Sequence, residues 1–148
     1  MPHEFTLTRR VEFAETDMAG IVHFANFYRM MENAEHAFFR SVGLSVHGEF
    51  GGVHIGWPRV ATACEFFKPL RFEDMVEIQL IVLEVRNRSI RYGFRFWNAA
   101  HLEVARGTVA TVCAAVDKAG LTAVPIPDAI RALIVPAPAE LTAIFSAK

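Results

Sequence analysis

The chain has 148 residues, 53% of them apolar and 21% charged, with a formal net charge of -1. That length suits one domain with a substantial core, and the near-neutral balance gives no general attraction to nucleic acid or to an anionic membrane surface. No apolar run is long enough to span a bilayer and MPHEFTLTRR lacks the apolar centre of a signal peptide, so no membrane span and a cytoplasmic location are expected. The apolar surplus implies surface to hide in a subunit interface.

In chain order, Phe5 to Phe13 alternates apolar and polar residues and predicts a strand. The period then changes. Phe27, Met30, Met31, Ala34, Phe38 and Val42 fall on one stripe of a predicted helix over 25–42, with Arg29, Glu32, Asn33, Glu35, His36 and Arg40 off it. Gly43 is the expected stop. Leu44 to Pro58 holds Gly48, Gly51, Gly52 and Gly56 among His47, Glu49, His54 and Trp57, and reads either as a pocket-shaping loop or as a plain connector.

Four strands are predicted next, over 59–67, 75–85, 89–97 and 103–116, and the short breaks between them favour antiparallel neighbours. PIPDAIRALIV suggests a short helix opened by Pro127 or Asp128, and residues from about 136 to 148 are expected to form a flexible end of a single domain. Strand, long helix, then several antiparallel strands define an α+β domain, one curved antiparallel sheet wrapped around one long central helix. Cys64 and Cys113 lie in strand-like apolar runs and read as buried thiols. They show no zinc spacing, and the six histidines form no ligand pair with a carboxylate at helical spacing, so no metal is expected.

The joint AETDMAGIVHF, between the first strand and the helix, is apolar and short, yet carries Glu15, Asp17 and His23. The first N–H groups of a helix lack intrahelical partners, and with the helix dipole they favour a developing oxyanion. Asp17 lies just upstream on a turn that Gly20 makes sharp. A carboxylate beside such an amide is a minimal acyl-transfer apparatus, although Asp in a loop also serves as an ordinary turn or cap residue. His23 reads either as a general base or as a capping residue.

EFAETDMAGIVHFANFYRMMENA resembles the signature of the 4-hydroxybenzoyl-CoA thioesterase family of hotdog-fold proteins, and the resemblance continues through FFKPLRFEDMVEIQLIVLEVRNRSIRYGFRFWN. It implies a hotdog fold and an acyl-CoA thioesterase. Asp17 then matches the catalytic carboxylate, the backbone N–H of Phe24 the oxyanion donor, and Asn26 the asparagine near the helix start, carried here as a substrate-binding candidate. Glu32 falls where the family's hydroxybenzoyl branch has an acid near the ring hydroxyl, and Arg86, Arg88 and Ser89 fall on a turn that contacts CoA phosphates.

The Tol–Pal-associated branch has an aromatic residue and then a histidine before Ala-Asn, whereas here His23 precedes Phe24. That one-residue shift turns the side chain by about a hundred degrees, so aspartate plus amide is the mechanism the resemblance implies, with His23 a lesser candidate. Glu32 in place of Asp, and Asn87 within the basic turn, keep CoA contact but leave 4-hydroxybenzoyl specificity open.

The resemblance also implies a homo-oligomer, dimer or tetramer, and no cofactor besides the CoA of the substrate. The function expected is hydrolysis of a small aromatic or short-chain acyl-CoA. The alternatives are a non-catalytic acyl-CoA or acyl-carrier-protein binding module and, lower, a hotdog hydratase. The hydratase pattern needs Asn-Pro and a histidine five residues after the Asp, and neither is present.

Overall fold

The computed structural model describes residues 2–146. Nine strands form two antiparallel sheets. The larger contains β1 (Glu4–Arg10), β4 (Arg59–Phe66), β5 (Met75–Val85), β6 (Ser89–Trp97) and β7 (Glu103–Val112), in the order β1-β5-β6-β7-β4. The smaller contains β2 (Gly48–Phe50), β3 (Val53–Gly56), β8 (Ala114–Asp117) and β9 (Gly120–Ala123). Helix α1 (Ala25–Ser41) lies across the larger sheet. This is the hotdog fold, α+β with one long helix held by a curved antiparallel sheet.

The apolar stripe predicted for α1 is the face that packs. Phe27, Met30, Met31, Ala34 and Phe38 are buried against Ile78, Leu80 and Val82 of β5 and Ile90, Tyr92, Phe94 and Phe96 of β6. Phe39 joins them through an edge contact with Trp57. Truncating one of these aromatics to alanine costs about 3–5 kcal/mol in such a core. The helix stops where expected. Gly43 takes φ +82°, its N–H reaches the Arg40 carbonyl at 3.0 Å, and Leu44 N–H returns to Phe39 at 2.8 Å.

Several boundaries differ from the expectations. The first strand ends at Arg10 rather than Phe13, because Phe13–Glu15 turns into a 3-10 helix whose Glu15 carboxylate accepts the Glu12 N–H at 2.8 Å. The segment 44–58, expected as a pocket-shaping loop or a plain connector, contains the β2–β3 hairpin. The strand predicted over 103–116 breaks at Cys113, whose N–H bonds to the Arg88 carbonyl, and β8 then peels away into the smaller sheet. Glu35, expected on the polar side of the helix, is buried.

A short helix, α2 (Asp128–Arg131), forms where Pro127 and Asp128 predicted one. Within the segment expected to be a flexible end, α3 (Ala139–Thr142) and a 3-10 turn at Ala143–Phe145 form instead. Ala137 N–H bonds to the Val82 carbonyl, and the Phe145 ring lies where a side chain at Gly93 would sit. Residues 147 and 148 lie outside the described residues.

Candidate active site

The joint between β1 and α1 is shaped by its own backbone. Asp17 N–H donates to the Ile21 carbonyl at 3.0 Å, and Gly20 N–H returns to the Asp17 carbonyl at 2.9 Å. Asp17 Oδ1 accepts the Ala19 N–H at 2.9 Å. Thr16 and Val22 form an isolated antiparallel bridge at the base of this turn. Gly20 sits at φ +78°, a region that glycine enters freely and other residues do not. The Asp17 side chain is exposed, and among the described residues its second oxygen has no partner.

Behind the turn stands Glu15, which in the sequence is only one charge among several. Its carbonyl accepts His23 N–H at 2.9 Å and Asn26 Nδ2 at 2.8 Å, tying the start of the helix to the loop. Its carboxylate meets Arg9 at 2.6 Å, and Arg9 also donates to Asn33 Oδ1 at 2.8 Å, so β1, the loop and α1 share one polar clamp. Asn26, a substrate-binding candidate in the sequence, has its amide nitrogen committed to this clamp.

The first amides of α1 are nearly all occupied. Ala25 N–H donates to His23 Nδ1 at 3.2 Å, Asn26 N–H to the His23 carbonyl at 2.9 Å, and Phe27 N–H to the Phe24 carbonyl at 3.2 Å. The exception is Phe24, whose N–H finds no acceptor among the described residues. An amide so placed is free to bind an oxygen that gains negative charge. His23 Nδ1 is occupied by the Ala25 N–H, and the His23 ring is tilted against Phe24 at 4.8 Å between centroids. It does not line the cleft that Asp17 and Phe24 share.

That cleft, of about 570 Å³, is completed by Phe27, Phe66, Leu70 and Lys68. Its walls are mostly apolar, with the Phe27 and Phe66 rings in edge contact at 5.1 Å. Apolar walls with a few converging polar groups are the usual character of a small-molecule site. Among the described residues no group of three or more His, Cys, Asp or Glu could hold a metal ion, and no helix is long and apolar enough to cross a membrane.

One chain does not bring the remaining candidates to this cleft. Glu32 lies two turns along α1 from Phe24 and points to Arg59, 3.3 Å away. Arg86, Arg88 and Ser89 sit at the far end of β5 from the Asp17 loop, roughly 30 Å along a strand that rises ~3.3 Å per residue. Arg86 pairs there with Glu84 at 2.7 Å, and Arg131 supports the turn by donating to the carbonyls of Arg86 and Asn87. Cys64, half-buried rather than buried as expected, and Cys113, buried, are free thiols; burial followed by the charge of Glu65 pushes Cys64 up to about 11 and burial raises Cys113, so neither is a ready nucleophile.

A curved antiparallel sheet around one long helix, with Asp17 and Phe24 lining one mostly apolar cleft, defines a hotdog protein. The sequence profile of the thioesterase-like superfamily matches residues 11–134, and the chain belongs to that family. It is 29% identical to the 4-hydroxybenzoyl-CoA thioesterase of Pseudomonas sp. strain CBS-3 over 92 residues, 60% of this chain and 64% of that protein. Among solved structures, a gentisyl-coenzyme A thioesterase superposes with a TM-score of 0.76 at 30% identity, covering 88% of this chain and 100% of the other. A 1,4-dihydroxy-2-naphthoyl-CoA thioesterase from Synechocystis gives 0.78 at 25% identity, over 88% and 95% of the two chains.

Proposed function

We propose that this chain is an acyl-CoA thioesterase acting on a small aromatic or short-chain acyl group, with Asp17 as nucleophile or general base and the Phe24 N–H as oxyanion donor. The observation that carries this reading is that Asp17 and Phe24, whose N–H has no acceptor among the described residues, line one cleft. Membership of the thioesterase-like superfamily and the named activities of its relatives support the reaction class.

In the nucleophilic route, a carboxylate oxygen of Asp17 adds to the thioester carbon and the carbonyl electrons move onto oxygen. The Phe24 N–H holds that oxyanion. Collapse breaks the C–S bond, CoA leaves as a thiolate that takes a proton from water, and the mixed anhydride on Asp17 is then hydrolysed. In the general-base route, Asp17 takes a proton from a water that adds to the same carbon, and the same collapse follows. Either route needs the carboxylate ionised.

The reading includes a homo-oligomer. Strand β4 is an open edge of the larger sheet, almost wholly exposed and carrying Val60 and Phe66 on its surface. An exposed apolar edge of this length invites pairing with another strand. Two copies joined edge to edge about a two-fold axis run antiparallel. The Phe66 end of one, beside Asp17, then meets the Arg59 end of the other, beside Glu32 and the Arg86–Ser89 turn. A second copy therefore supplies the basic turn that a single chain leaves distant.

Thiol release from a panel of aromatic and short-chain acyl-CoA thioesters tests the reading against a binding module. Turnover supports hydrolysis, whereas saturable binding without release of free CoA supports the binding module.

A further inference from the structure

The larger sheet has a second face, turned away from α1. Ile81 and Leu83 of β5 are buried, yet neither joins the core that packs on the helix. Ile81 stands opposite Gly93 of β6, and Gly93 opposite Thr108 of β7, so three strands share one outward row. The row is hollow at its centre, where the Phe145 ring is seated. A Cβ on Gly93 would come within 2.6 Å of that ring.

The cover of this face is the C-terminal segment. Val135 N–H bonds to the Pro2 carbonyl at 3.2 Å, and Ala137 N–H to the Val82 carbonyl at 2.8 Å, where β5 runs beyond its pairing with β1. Helix α3 then lies against β5 on the way to Phe145. Beyond Ala137 the hydrogen bonds of the segment, among the described residues, stay inside it, from Leu141 and Thr142 to Pro138 and from Ser146 to Ala143. Apolar contact alone holds this end down, so it opens at lower cost than the sheet beneath it.

Once bared, Ile81 and Leu83 would form an apolar patch that water disfavours. Charges of both signs flank it. Two residues to either side of Gly93, Arg91 faces Glu84 at 3.6 Å, and Arg95 holds Glu103 at 2.8 Å. Turned about a two-fold axis, a face of this kind can set its arginines against the acids of its own copy. A cavity of about 490 Å³ continues past Phe145 along Thr108 and Ala63 to Phe67, with room for side chains from such a copy.

We propose that residues 135–146 are an intramolecular cap, and that the sheet face beneath it docks the same face of a second copy when Phe145 lifts away. The Asp17 cleft takes no part, and neither does strand pairing along the edge of β4.

The test uses the full-length chain. Analytical ultracentrifugation over a range of concentrations compares the wild type with Phe145→Ala, with Gly93→Ala, and with Phe145→Ala carrying Thr108→Lys. Phe145→Ala and Gly93→Ala are each expected to double the wild-type mass, reversibly, as concentration rises. Amide exchange at Ala137 should quicken about tenfold in both, because it follows local opening. The lysine at position 108 puts a charge on the bared row and should return Phe145→Ala to the wild-type mass.

The seat of the ring is checked by melting. Gly93→Ala should lower the melting temperature of the wild type but not that of Phe145→Ala, where no ring remains to be displaced. Equal losses in the two backgrounds, or unchanged exchange at Ala137, overturn the cap. Faster exchange with no gain in mass overturns the docking, as does an irreversible aggregate or a doubling that survives Thr108→Lys.

Discussion

Asn26 Nδ2 donates to the Glu15 carbonyl at 2.8 Å, so the first turn of α1 grips the loop two residues before Asp17. The bond ties the two candidate catalytic groups together, since Phe24 belongs to the helix start and Asp17 to the loop. Removing one partner of such a bond typically costs about 1–3 kcal/mol. Asn26→Ala is therefore expected to lower kcat roughly tenfold with a smaller change in KM, because the groups stay present but lose register. Steady-state kinetics with the best acyl-CoA checks this. A change in KM alone would return Asn26 to a substrate-binding role.

Gly20 carries the turn that presents Asp17. A Cβ there would meet no atom within 4 Å, so Gly20→Ala is a purely conformational perturbation at φ +78°. An L-residue in this region costs about 1–2 kcal/mol. The variant should melt a few degrees lower and lose more activity than stability, as the loop relaxes away from the helix start. Thermal melting and turnover measured on one preparation separate the two effects.

Glu103 sits between Arg95 and Arg106, at 2.8 and 2.6 Å. Burial opposes its charge, but the hydrogen bonds and charges of Arg106 and Arg95 outweigh it and hold the carboxyl near about 2 instead of 4.5. A depressed folded-state value means stability that is present above the ordinary carboxylate range and lost as pH falls toward the folded value. The stability difference between wild type and Glu103→Gln should thus shrink as pH drops from about 4.5 to about 2. Urea unfolding at a series of pH values measures it, and a pH-independent difference would mean that the cluster acts through packing.

The edge strand offers a prediction about assembly. Val60 is 62% exposed on β4, and a charge there blunts strand pairing. Sedimentation should find the wild type as a dimer or tetramer and Val60→Lys shifted toward monomer. Activity should fall with dissociation, since the Arg86–Ser89 turn would no longer reach the cleft.

Much of this was legible in the sequence because it is local. The stripe from Phe27 to Phe38 is a periodic signal and becomes the buried face of α1, the stop at Gly43 is a local one, and the strand predicted over 89–97 forms as β6 with Ile90, Tyr92, Phe94 and Phe96 buried. Asp17 and Gly20 were readable as a turn for the same reason. Glu35, Arg59 and Tyr92 were not. They are 24 and 33 residues apart along the chain and meet only through tertiary packing; Arg59 looked like the start of a strand and Tyr92 like an ordinary inward residue. The clamp through Glu15 was equally hidden, because its hold on His23 and Asn26 works through a backbone carbonyl that carries no sequence signature.

The most direct test of the central claim is single-turnover hydrolysis of an acyl-CoA by Asp17→Asn against wild type, with thiol release followed spectroscopically and binding of the same thioester measured in parallel. The substituted amide keeps the size of the side chain and an acceptor oxygen for Ala19 N–H but cannot act as a carboxylate. The expected result is a loss of at least about a hundredfold in the chemical step, near 2.7 kcal/mol, with thioester affinity and melting temperature retained. Hydrolysis by Asp17→Asn at the wild-type rate would contradict the account.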